Sequence, residues 1–214
     1  MYKVWGTHDW SKVIWTNESA FTVGGAPGRV WVTRRVEEEF HKSFLLPKFK
    51  KHELVMVRGW FVGRHKGPLI IWDKGAWGMT MNAKGYQTQI LPHLERFWQS
   101  ESARIQDYVY IQQDNASPHR VLSTITDLQE HGLYNYRLPW PATSPDLNLI
   151  ETIWRLMKVH ISNLIPHAQN NHEMIEALRT QWDAITEYDL GQILDIMIDR
   201  VDALVSVNGG PTKF

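Results

Sequence analysis

Hydrophobic and polar positions change their period partway along this chain. Up to Trp72 the apolar residues come in short runs: "KVIWT" (12–16), "RVWVT" (29–33), "LVMVRGWF" (54–61) and "PLIIW" (68–72). These runs are rich in β-branched and aromatic side chains and lie near Gly or Pro, so they predict strands. The stretch 34–53 between two of them is basic, carries Pro47 and has no clean period, which predicts a long excursion away from the sheet. In "NAKGYQTQILPHLERFWQSE" (82–101), Tyr86, Ile90, Leu91, Leu94 and Phe97 recur at helical spacing, so a helix is predicted despite Pro92. "YVYIQQ" (108–113) predicts a strand ending at Asp114. A helix near 118–131 stops at Gly132, and "YNYRL" (134–138) predicts one more strand.

From Asn148 the pattern is helical. Ile150, Ile153, Trp154, Met157 and Ile161 line one face, and further helices are predicted near 171–186 and 188–206, before the "NGGP" stop. Strands followed by interleaved helices predict one α/β domain over residues 1–214 with mixed sheet pairing. The eleven tryptophans predict a core anchored by large aromatic side chains, Trp140 and Trp154 among them.

Composition narrows the function classes. With no cysteine, disulfides and thiolate metal sites are excluded. No run approaches the ~18 apolar residues of a membrane span, and the N-terminus has no signal pattern. Net charge is zero, which argues against a binder that meets nucleic acid over its whole surface. The charge is unevenly spread, however. Residues 29–66 hold ten Lys/Arg against four Glu, and residues 167–214 hold three basic against eight acidic residues. The first segment suits a polyanion and the second repels one.

Two stretches carry candidate chemistry. In "IQQDNASPHR" (111–120) an acid ends a buried strand, where ligand groups converge in open α/β sheets. In "WPATSPDLNLIETIWRLMK" (140–158) a proline-rich turn feeds a helix with Glu151 in its first turn. A purely structural alternative has Asp114 capping its turn and Asn148 with Glu151 closing a capping box. His119 is expected to be structural, and His160 and His167 suit a helix C-terminus rather than a metal.

Together, "QQDNASPH" and "WPATSPDLNLIETIW" resemble the second and third acidic motifs of mariner-type DDE transposases, in particular the fungal branch. "VIWTNESAF" (13–21) resembles the first motif. The thirty-six residues between Asp114 and Glu151 suit that family. The resemblance implies a ribonuclease H-like fold, a mixed five-stranded sheet flanked by helices. It places the site residues at Asn17, Asp114 and Glu151, as ligands of two Mg²⁺ or Mn²⁺ ions that support DNA strand cleavage and strand transfer. It further implies DNA partners (transposon ends and target), a homodimer and a nuclear location in a eukaryote, with no small-molecule substrate and no membrane. A basic clamp-like excursion at about 20–53 would carry DNA-binding Arg34, Arg35, Lys48, Lys50 and Lys51. Members of the family carry paired helix-turn-helix units ahead of this core, and the few residues before the first predicted strand are too short to form them.

Asn17 departs from the pattern. A carboxylate on the central strand can bridge two ions through its two oxygens, whereas an amide offers one carbonyl oxygen and a nitrogen that only donates. Glu18 points to the opposite face of its strand, and Asp73 ends a different one. The expectation is a catalytic core inactive as written. The alternative is a non-catalytic DNA-binding or assembly module derived from one.

Overall fold

β1 (Val13–Thr22) is paired on both edges and buried on both faces: Val13, Trp15 and Phe21 enter one core, and Ile14 enters the other. The fold is taken from a computed structural model that describes residues 2–24, 35, 53–114, 122–141, 144–210 and 212. β2 (Leu54–Val62) runs antiparallel to β1, from Ile14 opposite Val62 to Thr22 opposite Leu54. The short β3 (His65–Lys66) and β4 (Ile70–Ile71) both pair antiparallel with β2. On the other side of β1, β5 (Tyr110–Gln112) is parallel, with Ile14 opposite Ile111. The result is the mixed five-stranded sheet expected, in the order β3-β2-β1-β5 with β4 also on β2.

Helices cover both faces. In chain order they are α1 (Thr7–Trp10), α2 (Lys74–Trp77), α3 (Ala83–Gly85), α4 (Leu91–Ile105), α5 (Leu122–Glu130), α6 (Ile150–Ser162), α7 (Asn171–Ala184) and α8 (Glu187–Ser206). A π-helical turn at Tyr86–Ile90 joins α3 to α4. Pro92 lies where that π turn passes into α4, inside a helical run continuous from Ala83 to Ile105, and it contributes no N–H to it. Tyr86, Ile90, Leu91, Leu94 and Leu128 pack with Ile14, Trp60 and Val62 on one face of the sheet. On the other, Ile153, Trp154 and Met157 of α6 pack with Leu178 and Trp182 of α7 and Leu194 and Met197 of α8. Trp154 is buried as predicted and stacks on Trp182, with ring centroids 5.5 Å apart. Trp140 is half-buried and meets Trp15 edge-on.

Some elements differ from the sequence prediction. β1 runs on to Thr22, so the excursion begins later than residue 20; residues 25–34 and 36–52, with the "RVWVT" strand, lie outside the described residues. "PLIIW" contributes only two paired residues, and β3 had no signal in the pattern. "YNYRL" is a 3₁₀ turn at Tyr134–Tyr136 followed by one parallel bridge, Arg137 to Ile111. Its alternating aromatics imitate a strand. Tyr136 instead packs on Trp98 and Tyr108, at 4.5 and 4.7 Å between centroids.

Candidate active site

Asn17 sits midway along β1, on the face toward α6 and opposite Gly59 of β2. Glu151 enters from the first turn of α6, and Asn17 Nδ2 donates a short hydrogen bond to its Oε1. The two residues are 134 positions apart in sequence, so only the tertiary fold unites them. The start of α6 is held by two further ties. Asn148 Nδ2 donates to Thr16 O at 3.1 Å, one residue before Asn17. Arg200 of α8 donates to Asp146 O at 2.5 Å and to Thr152 Oγ1 at 2.6 Å.

These contacts overturn the capping-box alternative for Asn148 and Glu151. No side chain caps α6 in that manner; the Asn148 amide spans to β1 and the Glu151 carboxylate faces Asn17. Asp73 is also accounted for, as the N-cap of α2 accepting from Gly75 N and Ala76 N. Glu18 is turned to the opposite face, as strand alternation required, and pairs there with Arg58.

Asp114 directly follows β5 and Gln113, whose Nε2 donates to Tyr86 Oη. Its negative charge helps raise the Glu151 and Tyr86 pKa values and helps hold up that of Arg58. Partial burial pushes the Glu151 carboxyl above the usual carboxylate range and the Asp114 charge adds to this; the Asn17 hydrogen bond and Lys158 pull it back.

The residues present do not fit a two-metal centre as written. Two carboxylates and an amide offer less negative charge than the three acids the resemblance implied, and the amide nitrogen is turned toward the Glu151 oxygen a cation would need. Among the described residues no group of three or more His, Asp or Glu is arranged to hold a metal. His160 lies near Gln181 Oε1 at 3.2 Å, and the His167 carbonyl accepts from Gln169. Of the five proposed DNA-binding residues, Arg35 is exposed; Arg34, Lys48, Lys50 and Lys51, like His119, lie outside the described residues.

Sequence reasoning gave Arg58 no role at the site. It is 1% exposed, donates to Thr16 Oγ1 at 2.5 Å, and lies over the Tyr86 ring at 5.0 Å. The signal was a lone cation in the apolar run "LVMVRGWF", since a buried arginine requires partners.

The Tcb2 transposase of Caenorhabditis briggsae is 32% identical over 213 residues, covering 98% of this chain and 73% of the relative. The chain belongs to the Tc1/mariner family of DDE transposases. The Tc1 transposase of Caenorhabditis elegans is 30% identical over 211 residues, with the same coverage. No family model matches. Among solved structures, a pre-cleavage Mos1 transpososome superposes with a TM-score of 0.74 at 15% identity, over 96% of this chain and 58% of that one. The Mos1 catalytic domain with Raltegravir and Mg superposes with a TM-score of 0.68 at 16% identity, over 95% and 87%. The Mos1 paired-end complex with left transposon end gives 0.71 at 15% identity, and this chain spans 57% of that Mos1 chain. At such identities these likenesses speak to the fold, which is ribonuclease H-like as expected. The curated relatives named are nematode proteins, and the fungal branch has no support from them.

Proposed function

We propose that residues 1–214 form one domain, the catalytic core of a Tc1/mariner transposase whose metal-dependent chemistry is disabled at Asn17. What supports this reading is the Asn17–Glu151 hydrogen bond between β1 and α6, together with the charge of Asp114 acting on the Glu151 carboxyl. With aspartate at 17 the trio would offer Mg²⁺ or Mn²⁺ a third carboxylate and no competing N–H. The substrate class is DNA, at transposon ends and target. We place the protein on it as a homodimer, in the nucleus of a eukaryotic host, with the basic residues after β1 contacting phosphates.

The second reading is a non-catalytic DNA-binding or assembly module. What favours it is that Glu151 already has a protein hydrogen-bond donor where a cation would sit.

Asn17→Asp tests both. Without metal the variant should melt lower than the chain as written, because crowded carboxylates raise one another's pKa. With Mn²⁺ it should regain stability and gain nicking of duplex DNA. If the aspartate chain shows no Mn²⁺-dependent rise in melting temperature beyond that of the chain as written, residue 17 is not a ligand position. Metal-dependent stabilisation without nicking supports the binding or assembly module.

A further inference from the structure

Beside β5 the chain exposes a row of aromatic rings. Trp98 of α4 lies against Tyr136 with ring centroids 4.5 Å apart, Tyr136 against Tyr108 at 4.7 Å, and Tyr108 against Tyr110 at 5.1 Å. The inner end is fastened, because Trp98 Nε1 donates to Val109 O at 3.0 Å. The outer end faces solvent: Tyr108 is 46% exposed, and Tyr134, in the same 3₁₀ turn as Tyr136, is 39% exposed. Arg137 closes that turn, and its guanidinium lies over the Tyr134 ring at 5.7 Å. Arg137 is half-buried, its Nε is shut away from water with no hydrogen-bond partner, and no carboxylate among the described residues pairs with it. A guanidinium keeps its proton in proteins, so this charge is left uncompensated and favours an anion arriving from outside. The acid next to the row, Asp107, is already taken by Lys12 Nζ at 2.5 Å and by the Tyr108 N–H at 2.6 Å.

We propose that this row is a docking surface for a single DNA strand, with unpaired bases stacking on Tyr108 and Tyr134 and a phosphate of the same strand meeting Arg137. The inference rests on the reading of DNA as the substrate class, and adds a contact surface outside Asn17, Asp114 and Glu151. A ring face offers a stacking partner to any base, and rings braced by neighbouring rings lose little freedom on contact. A duplex keeps its base faces inside the stack and shows such a surface only phosphates, and one arginine neutralises too few of those to hold it. A frayed or nicked DNA end offers both groups at once, an unpaired base and its phosphate.

The test is fluorescence anisotropy of a short labelled DNA oligonucleotide of mixed sequence, as a single strand and as its duplex, at several salt concentrations. Tyr108→Ala/Tyr134→Ala should weaken single-strand binding at least about tenfold, as expected when two stacking faces are lost, and leave duplex binding within about twofold. Tyr108→Phe/Tyr134→Phe, which keeps the rings, should bind the single strand like the chain as written. Arg137→Gln should flatten the single-strand plot of log affinity against log salt by about 0.7, the contribution of one phosphate, and Arg137→Lys should leave it unchanged. An alanine variant that keeps its single-strand affinity overturns the inference, and so does one that loses strand and duplex equally. A shift of the alanine variant to a smaller species in sedimentation also overturns it, since the rings would then hold a second copy of the chain. If the alanine variant does not fold, the Arg137 slope decides. Duplex binding by a chain that ignores the single strand sinks this surface alone, whereas binding to neither sinks the reading of DNA as the substrate class as well.

Discussion

Gly59 lies opposite Asn17 across the β1–β2 ladder, and a Cβ there would sit 2.6 Å from Trp182 and 2.9 Å from Trp154. The absence of a side chain lets the stacked tryptophans of α6 and α7 rest directly on the sheet next to the candidate site. Neither indole can yield without disturbing the other, so Gly59→Ala should destabilise the fold by about 1–3 kcal/mol, the usual cost of overpacking. Chemical denaturation measures it; a cost within experimental error of zero would mean that the tryptophans re-seat freely. Asn17 shows the same dependence on neighbours, since what its amide does is decided by a glutamate from a distant helix.

Among the elements, the helices end where local chemistry tells them to. Thr186 caps α8: its hydroxyl accepts from Asp189 N at 3.2 Å and donates to Asp189 Oδ2 at 2.7 Å, while Thr186 N donates to the same oxygen at 2.9 Å. The side-chain hydrogen bond, followed by the backbone one, holds the Asp189 pKa below its ordinary value. Stability from this pair is therefore present above the ordinary aspartate range and is lost as pH falls through the lowered folded value. Thr186→Ala should cost ~1 kcal/mol near neutral pH and lose less on acidification than the chain as written. Thermal melts between neutral and acid pH check both, and parallel pH curves would show that Thr186 does not hold the carboxylate. At the far end of α7, Lys66 Nζ donates to the carbonyls of Trp182, Asp183 and Ile185, fastening β3 to that helix terminus.

Across the whole molecule, charge is separated along the chain: basic residues dominate 29–66, and acidic ones dominate the α7–α8 end. With net charge zero, the proposed DNA affinity would be concentrated in the basic segment rather than spread over the whole surface. Replacing Lys48, Lys50 and Lys51 together by alanine should weaken duplex binding for any sequence. It should also flatten the plot of log affinity against log salt by about 2–3, close to one unit for each phosphate the lysines no longer neutralise. Fluorescence anisotropy at several salt concentrations reads this directly. An unchanged slope would mean that the phosphates are met elsewhere on the protein.

Much of the fold was legible because its signals are local. The β-branched and aromatic run of β1, the 3.6-residue period of α6 and the glycine at 132, which adopts φ +69°, needed no partner to be read. The resemblance of three local motifs to those of the family is likewise what singled out Asn17, Asp114 and Glu151 as candidates. Where the sequence pattern misled, longer-range contacts prevailed. "YNYRL" has strand-like aromatics, yet Tyr136 packs on Trp98 and a single bridge remains; Asn148 has capping-box spacing, yet its amide serves the β1 carbonyl at Thr16. The pairing of β3 and β4 with β2 rests on two residues each, too few to leave a period. The family, the layered α/β order and the amide at position 17 could all be read along the chain. That this amide would bond Glu151, and that Arg58 would be buried against Glu18, emerged with the folded molecule, because each contact joins side chains far apart in sequence.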